Sequence, residues 1–411
     1  MEAEGQRLVV LAGTLIDGTG ADPLEKAAIV IEGGRFSQVG PQNKIKVDRK
    51  DGAVLDLSDR VVLPGLMDAH CHFYHMYRNY YEENTVAFVA RAMQNAGMWL
   101  DMGVTTVREI GTRENLDLGL RDAIAAGLVR GPRIFASGTA LAATGGGPVL
   151  DAPRRFVFEI TGADEARRVV RKQLRAGVDF IKLFTTAGVP SGRPEMTYEE
   201  IQAATEEAHK AGKHVAAHAH ATVTIKDCLR AGVNTIEHGR YLDEEAASLM
   251  ARAGAFLVPT LSIARSIAYR GEQWNTPPDA VEYARRALKA AEAGVRLARE
   301  AGVRIAVGTD PPRLDTVPME CEALVEAGLT PMEAIVGATL RGAEIVGREQ
   351  DFGTVQAGRR ADLAAYAANP LDDIRVLAQV EFVMKDGMTV KASVDRGEHV
   401  TGGAASRGRA H

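Results

Sequence analysis

The chain is poor in the features that mark several large classes of protein. Its 411 residues include three cysteines, Cys71, Cys228 and Cys321, with no CxxC pair among them. An odd, widely spaced set excludes a disulfide framework and a zinc ribbon, and leaves small buried or site-lining thiols. No apolar run reaches the roughly 20 residues of a membrane span. The segment MEAEGQRLVVLAGTLIDG lacks a basic stretch followed by a long apolar core and a small-residue cleavage site, so a soluble, cytoplasmic protein is expected. Neither charge is in excess, because 54 acidic residues stand against 49 basic ones and leave a net charge of -5. Nothing therefore points to nucleic acid or a membrane surface as partner. The glycine cluster 145–147 is no phosphate loop, since it lacks a following Lys-Ser/Thr and is not a strand-to-helix GxGxxG; it reads as a flexible lip.

What is present is an ordinary globular composition, 46% hydrophobic and 25% charged. The length suits one α/β barrel of about 250 residues plus a second module. Residues 8–63 alternate short β-like runs with glycine-rich or acidic turns and should form a small β module. From Pro64 onward, short apolar strands alternate with alanine-rich amphipathic helices, the pattern of repeated β/α units on a parallel sheet. Eight units can be counted, with strands VLPGLMDAH, TTVREIG, PRIFASG, FIKLF, HVAAHAH, TIEHG, FLVPTL and RIAVGTD. Helices such as TYEEIQAATEEAHKAG separate them and close on glycine. After about residue 348 the β-like runs return and look set to rejoin the N-terminal strands.

The residues with unusual chemistry share one address on this map. His70 and His72, Lys182, His218 and His220, His238 and Asp310 all fall at or near the C-terminal ends of strands 1, 4, 5, 6 and 8, the end where barrels build active sites. In the extended segment DAHCH, the two histidines point to one side and can reach one ion. Alone, HxH reads more readily as two hydrogen-bonded strand-end histidines; Lys182 reads equally well as a barrel lysine paired with an acid, and Asp310 as a cap for the segment that follows explains less than a ligand does. The crowding of five of the chain's ten histidines into a few strand ends, with an Asp among them, weighs towards metal.

These motifs in this order, VVLPGLMDAHCH, DFIKLF, HVAAHAH, NTIEHG and VGTD, resemble the amidohydrolase superfamily over nearly the whole chain. LIDGTG, LTPMEAIVGATLRGAEIVG and GTVQAGRRADLAAYAANPL resemble the subgroup of imidazolonepropionase-like proteins and metal-dependent Xaa-Pro dipeptidases, prolidase-like and ochratoxinase-like enzymes included. The resemblance implies a TIM-type (β/α)8 barrel at 64–350, a composite β-sandwich from 1–63 and 351–398, and a flexible tail at 399–411. It implies that His70, His72 and Asp310 hold one divalent metal, that His218 and His238 hold a second, and that a carboxylated Lys182 bridges them. Zinc suits such a donor set, which also admits manganese, cobalt or iron. An unmodified lysine would repel two dications, so Lys182 makes sense there only as an anionic carbamate. Two ions about 3.5 to 4 Å apart bring a shared water's pKa near neutrality and polarise a carbonyl, and Asp310 is the expected base.

By the same resemblance His220 belongs to the pocket wall, placed to bind the substrate carbonyl or oxyanion, and Tyr241 faces the substrate. Relatives often carry a histidine after a Thr-Gly-Gly run where this chain has Gly147, and an aspartate where it has Glu109. His75 and tyrosines 74, 77, 80 and 81 suit an aromatic rim, or equally helix packing or the surface. Any of Arg108, Arg193, Arg240 and Arg265 could meet a substrate carboxylate, and spacing does not choose among them. The leading expectation is hydrolysis of an amide bond in a dipeptide or N-acyl amino acid, ochratoxin-like amides included. Alternatives are a hydrolase of carbamates, ureas, cyclic amides or organophosphate esters, a mononuclear deaminase, or a non-enzymatic scaffold. A small-molecule substrate and a homo-oligomer complete the expectation.

Overall fold

The computed structural model describes residues 7–46, 53–73, 84–147, 156–188, 192–274, 276–310 and 316–393. Four strands come first: β1 (Leu8–Leu15), β2 (Leu24–Glu32), β3 (Arg35–Pro41) and β4 (Ala53–Pro64). Gly33 and Gly34, at φ +56° and +73°, make the two-residue turn between β2 and β3, a left-handed pair that only glycine adopts cheaply. The barrel follows, as β5 (Leu66–Cys71), β6 (Val104–Glu109), β7 (Arg133–Ala136), β8 (Ala140–Ala143), β9 (Val157–Ile160), β10 (Ile181–Phe184), β11 (Val215–Ala219), β12 (Thr235–His238), β13 (Phe256–Val258) and β14 (Arg304–Ile305). Last come β15 (Leu363–Tyr366), β16 (Phe382–Lys385) and β17 (Met388–Ala392).

Strands β5, β6 and β7 pair in parallel, as do β8 and β10 through β14 in order. Two seams join these sheets. Asp179 N–H donates to Ala136 O at 2.8 Å beside β7, and Ala69 N–H donates to Val307 O at 2.8 Å beside β5. The second seam brings the chain after β14 against the first barrel strand, so Asp310 meets His70 and His72. The fold is thus the α/β barrel with a second domain that the sequence leads one to expect.

Three local departures have physical causes. PRIFASG gives β7 and ends there, and past Gly138, at φ +68°, the chain forms a second short strand, β8, which pairs with β10. FLVPTL ends as a strand at Val258, because Pro259 has no N–H to give and Thr260 turns left-handed at φ +47° before a helix starts at Leu261. β9, an additional parallel strand on β8, was not expected.

The helices close as their sequences dictate. Thr197 and Glu200 form a capping box at the head of the helix Tyr198–Lys210. Gly212 and Gly302 turn left-handed just past the helices Tyr198–Lys210 and Pro278–Glu300. Both chain ends build the second, sandwich-like domain, a seven-stranded sheet in the order β17-β16-β15-β4-β1-β2-β3. Val10, Ile29, Phe36, Leu57, Val62, Leu363 and Phe382 pack its core. Arg133 at the start of β7 ties the two domains by pairing with Asp362 at 2.9 Å and Asp386 at 2.6 Å. Among the described residues no helix is long and apolar enough to cross a membrane.

Candidate metal centre

The fully buried strand β5 delivers His70, and His72 follows one residue past its end. Both imidazoles reach Asp310 Oδ1, His70 through Nε2 at 3.9 Å and His72 through Nε2 at 3.5 Å. One donor atom from each of these three residues lies within 4.8 Å of the others, so the group could hold a metal ion. Their orientation is enforced from behind. His70 Nδ1 lies 2.8 Å from Glu237 Oε2 and His72 Nδ1 lies 3.1 Å from Gly111 O. Both partners are acceptors, so each Nδ1 carries the proton and each Nε2 turns its lone pair towards Asp310.

A second histidine group adjoins the first. His218 on β11, His220 just beyond it and His238 at the tip of β12 have ring centroids 4.4 to 5.1 Å apart, and His238 is 4.9 Å from His70. Register places His218 opposite Glu237 and Ala219 opposite His238. His238 would point away from the barrel axis by simple alternation. Its left-handed backbone, φ +69°, re-aims it, and Thr260 Oγ1 holds its Nδ1 at 2.7 Å. Asp310 is left-handed too, at φ +81°. Such conformations cost non-glycine residues about 1–3 kcal/mol each and gather where a site demands them.

Lys182 rises from the middle of β10, 1% exposed, with Nζ 5.1 Å from the Phe184 ring. Burial pushes its ammonium down to about 8, against the pull of Glu237 and Asp310. Burial also holds the imidazoles neutral: His70 is pushed down to about 3 in spite of Glu237, and His218, His220 and His238 fall well below the ordinary range. Burial raises the Asp310 carboxyl, which the His72 and Lys182 charges oppose. Lys182 Nζ, His218 Nε2 and both ring nitrogens of His220 are buried with no hydrogen-bond partner among the described residues. An unmet buried polar group costs about 1–3 kcal/mol, and folded chains seldom leave four of them together. Neutral imidazoles and a carboxylate are donors that divalent metals take, so these residues fit such ions.

The remaining residues singled out in the sequence are scattered by comparison. Tyr241 is 38% exposed, with its backbone N–H donated to His220 O. Gly147 is buried, and its N–H donates to Glu195 Oε2 at 3.0 Å. Glu109 ends β6 behind His72 and accepts the Phe73 N–H at 2.7 Å. His75 and tyrosines 74, 77, 80 and 81 lie outside the described residues. Three partners escaped the sequence reading. Glu237 holds His70 and is itself gripped by Arg108 and Thr235; burial alone would raise its carboxyl, but Arg108 and His70 keep it at about 2. Asp68 ties β5 to the closing segment through Thr309 N and Oγ1. Tyr283 sends a buried hydroxyl in from the helix Pro278–Glu300. The one available signal was Glu237 itself, an acid beside His238 inside a barrel strand.

Comparison with known proteins fits this geometry. The profile of the Amidohydrolase family matches residues 61–391. Ochratoxinase of Aspergillus niger is 30% identical over 430 aligned residues, covering 94% of this chain and 87% of that protein. The crystal structure of a Xaa-Pro dipeptidase with methionine bound in its active site superposes with a TM-score of 0.87 at 34% identity, covering 94% of this chain and 100% of that one. A prolidase complexed with N-methylphosphonate-L-proline gives a TM-score of 0.85 at 30% identity, with coverage of 94% and 100%. The chain belongs to the amidohydrolase family and is a hydrolase acting on carbon–nitrogen bonds.

Proposed function

We propose that this protein is a two-metal amidase that releases an amino acid from a dipeptide or an N-acyl amino acid, ochratoxin-like amides included. One observation carries the reading: the buried, partnerless donors Lys182, His218 and His220, from β10 and the end of β11, gather beside the His70, His72 and Asp310 group. His70, His72 and Asp310 would hold one ion, His218 and His238 the other, with Lys182 bridging as a carbamate and zinc the natural occupant. Bound there, the ions would polarise the scissile carbonyl and ease deprotonation of water. The depressed Lys182 ammonium supports the bridge, because only a neutral amine combines with carbon dioxide, and a pKa of about 8 leaves part of it neutral near physiological pH.

The other groups divide the proton work. Asp310 Oδ1 stands beside both first-strand histidines, where it can take a proton from water and hand it to the departing amide nitrogen. His220, buried and neutral, has both ring nitrogens unengaged and can donate one N–H to the substrate oxygen. The relatives lend support to the choice of leaving half, since one holds methionine and another an L-proline derivative.

Metal analysis by mass spectrometry tests the reading, run with hydrolysis of Xaa-Pro dipeptides, N-acyl amino acids and aryl carbamates by wild type and Lys182→Ala. About two metals per chain, with metal and amide turnover both lost in the variant, is the expected result. One tightly held ion indifferent to the substitution would favour a mononuclear, deaminase-like site, and turnover of carbamates alone would move the substrate class.

A further inference from the structure

Five helices of this chain are capped alike. Asn84, Thr197, Asp243, Thr316 and Thr330 stand in extended backbone at the head of a helix, and each side chain accepts an N–H of the first turn. Thr260, at the head of the helix Leu261–Arg270, departs from this pattern. Its backbone is left-handed, at φ +47°, and its side chain makes no cap bond. The hydroxyl is turned to His238 instead, with Oγ1 2.7 Å from Nδ1.

The N–H groups that Thr260 leaves unmet are taken by another helix. Glu320, fully buried on the helix Val317–Glu326, accepts the Leu261 N–H on Oε1 at 2.9 Å and the Ser262 N–H on Oε2 at 2.6 Å. A carboxylate suits the place, because a helix start carries unpaired N–H groups and the positive end of the helix dipole. Thr260 and His238 are buried too, so neither bond is open to bulk water.

Two tasks that compete for one threonine are thereby divided between two residues. Without Glu320, Thr260 could cap the helix only by swinging to extended backbone, as the other five caps do, and its hydroxyl would leave His238. An ion on His238 Nε2 requires the proton on Nδ1, and Thr260 Oγ1 is the acceptor that holds it there.

We infer that Glu320 is a positioning residue for the second metal: by capping Leu261–Arg270 from outside, it reserves the Thr260 hydroxyl for His238 and so fixes which imidazole nitrogen faces the ion. This rests on the two-metal reading and deepens it. The helix that carries Glu320 follows Asp310 in the chain. One stretch of sequence would then serve both ions, the first directly and the second through two contacts.

Competition with a chromogenic chelator, reading the two ions separately, tests this on wild type, Glu320→Gln, Thr260→Val and the double variant. A glutamine has a single acceptor oxygen for the two N–H groups. Glu320→Gln should therefore loosen one ion about 10–100-fold and spare the other, Thr260→Val should do the same, and the double variant should lose no more than Thr260→Val alone. Thr260→Ser, which keeps the hydroxyl, should keep both ions. Glu326→Gln is the packing control, since it breaks the 2.6 Å ion pair with Arg265 between the same two helices and should spare both ions. Losses that add in the double variant, or both ions loosened alike by Glu320→Gln, would assign Glu320 to packing and overturn the inference. A wild type that takes one ion only would remove the two-metal reading, and the contacts are then tested without metal. In NMR of metal-free protein with isotope-labelled histidine, Glu320→Gln should shift His238 from one tautomer to a mixture; an unmoved His238 signal overturns the link from Glu320 to His238.

Discussion

Glu237 serves three neighbours at once, and through them it sets the direction of His70. Glu237→Gln keeps the size of the side chain but cannot accept from all three. Metal affinity should fall about 10–100-fold, as read by competition with a chromogenic chelator; unchanged affinity would mean that something else orients His70. Lys182 gives a prediction with a definite sign. Its folded pKa of about 8 lies below the ordinary 10.5, so the protonated form is penalised in the folded state up to pH 8, and the penalty fades as pH rises from 8 to 10.5. Metal-free protein kept without carbon dioxide should therefore be about 2–3 kcal/mol less stable than Lys182→Met at pH 7, with the gap closing by pH 10 in urea titrations. An equal gap at both pH values would show that the variant acts by packing alone. At this scale the sequence made plain what alternation controls, such as His70 and His72 sharing a side. Contacts across the barrel stayed hidden, because nothing in the run around Asp68 announces Thr309, 241 residues away.

Among the elements, the third barrel strand is the one whose geometry the site depends on most indirectly. Its break at Gly138 lets β7 stay with β6 while β8 moves over to β10, the strand that carries Lys182. A Cβ there would lie 2.7 Å from both Asn115 Oδ1 and Gln173 Nε2, on a left-handed backbone. Gly138→Ala should cost about 2–4 kcal/mol and lower the melting temperature, whereas Gly212→Ala, with nothing within 4 Å, should cost less than half as much. Similar losses at the two sites would remove the claim that crowding matters at the break. The helices were legible because period, cap and terminal glycine agree, as at Thr197 and Glu200. The second strand past Gly138 was not, because a glycine closing PRIFASG can end a strand or only bend it, and only the partners in space decide.

For the molecule as a whole, the proposed two-metal centre would link folding to ion binding through the partnerless donors at the barrel mouth. Removing metal should lower the melting temperature by about 5–10 °C, and restoring zinc should recover it; a melting temperature indifferent to chelation would contradict the linkage. The barrel was legible as a count of β/α units. That the two chain ends form one sheet was only suggested, since the pairing of β4 with β15 has no local signature.

That pairing also sets an order of events during synthesis. The edge of β4 at Val61–Pro64 waits for Leu363–Tyr366, about 300 residues later, which at ordinary ribosomal speed is roughly 15–60 seconds. Through that interval the nascent chain carries an open strand edge that another nascent copy could occupy. The second domain is therefore the last part to close although it is the first to emerge, and yield in the cell should respond to translation rate and chaperone supply more than to the stability of the finished fold.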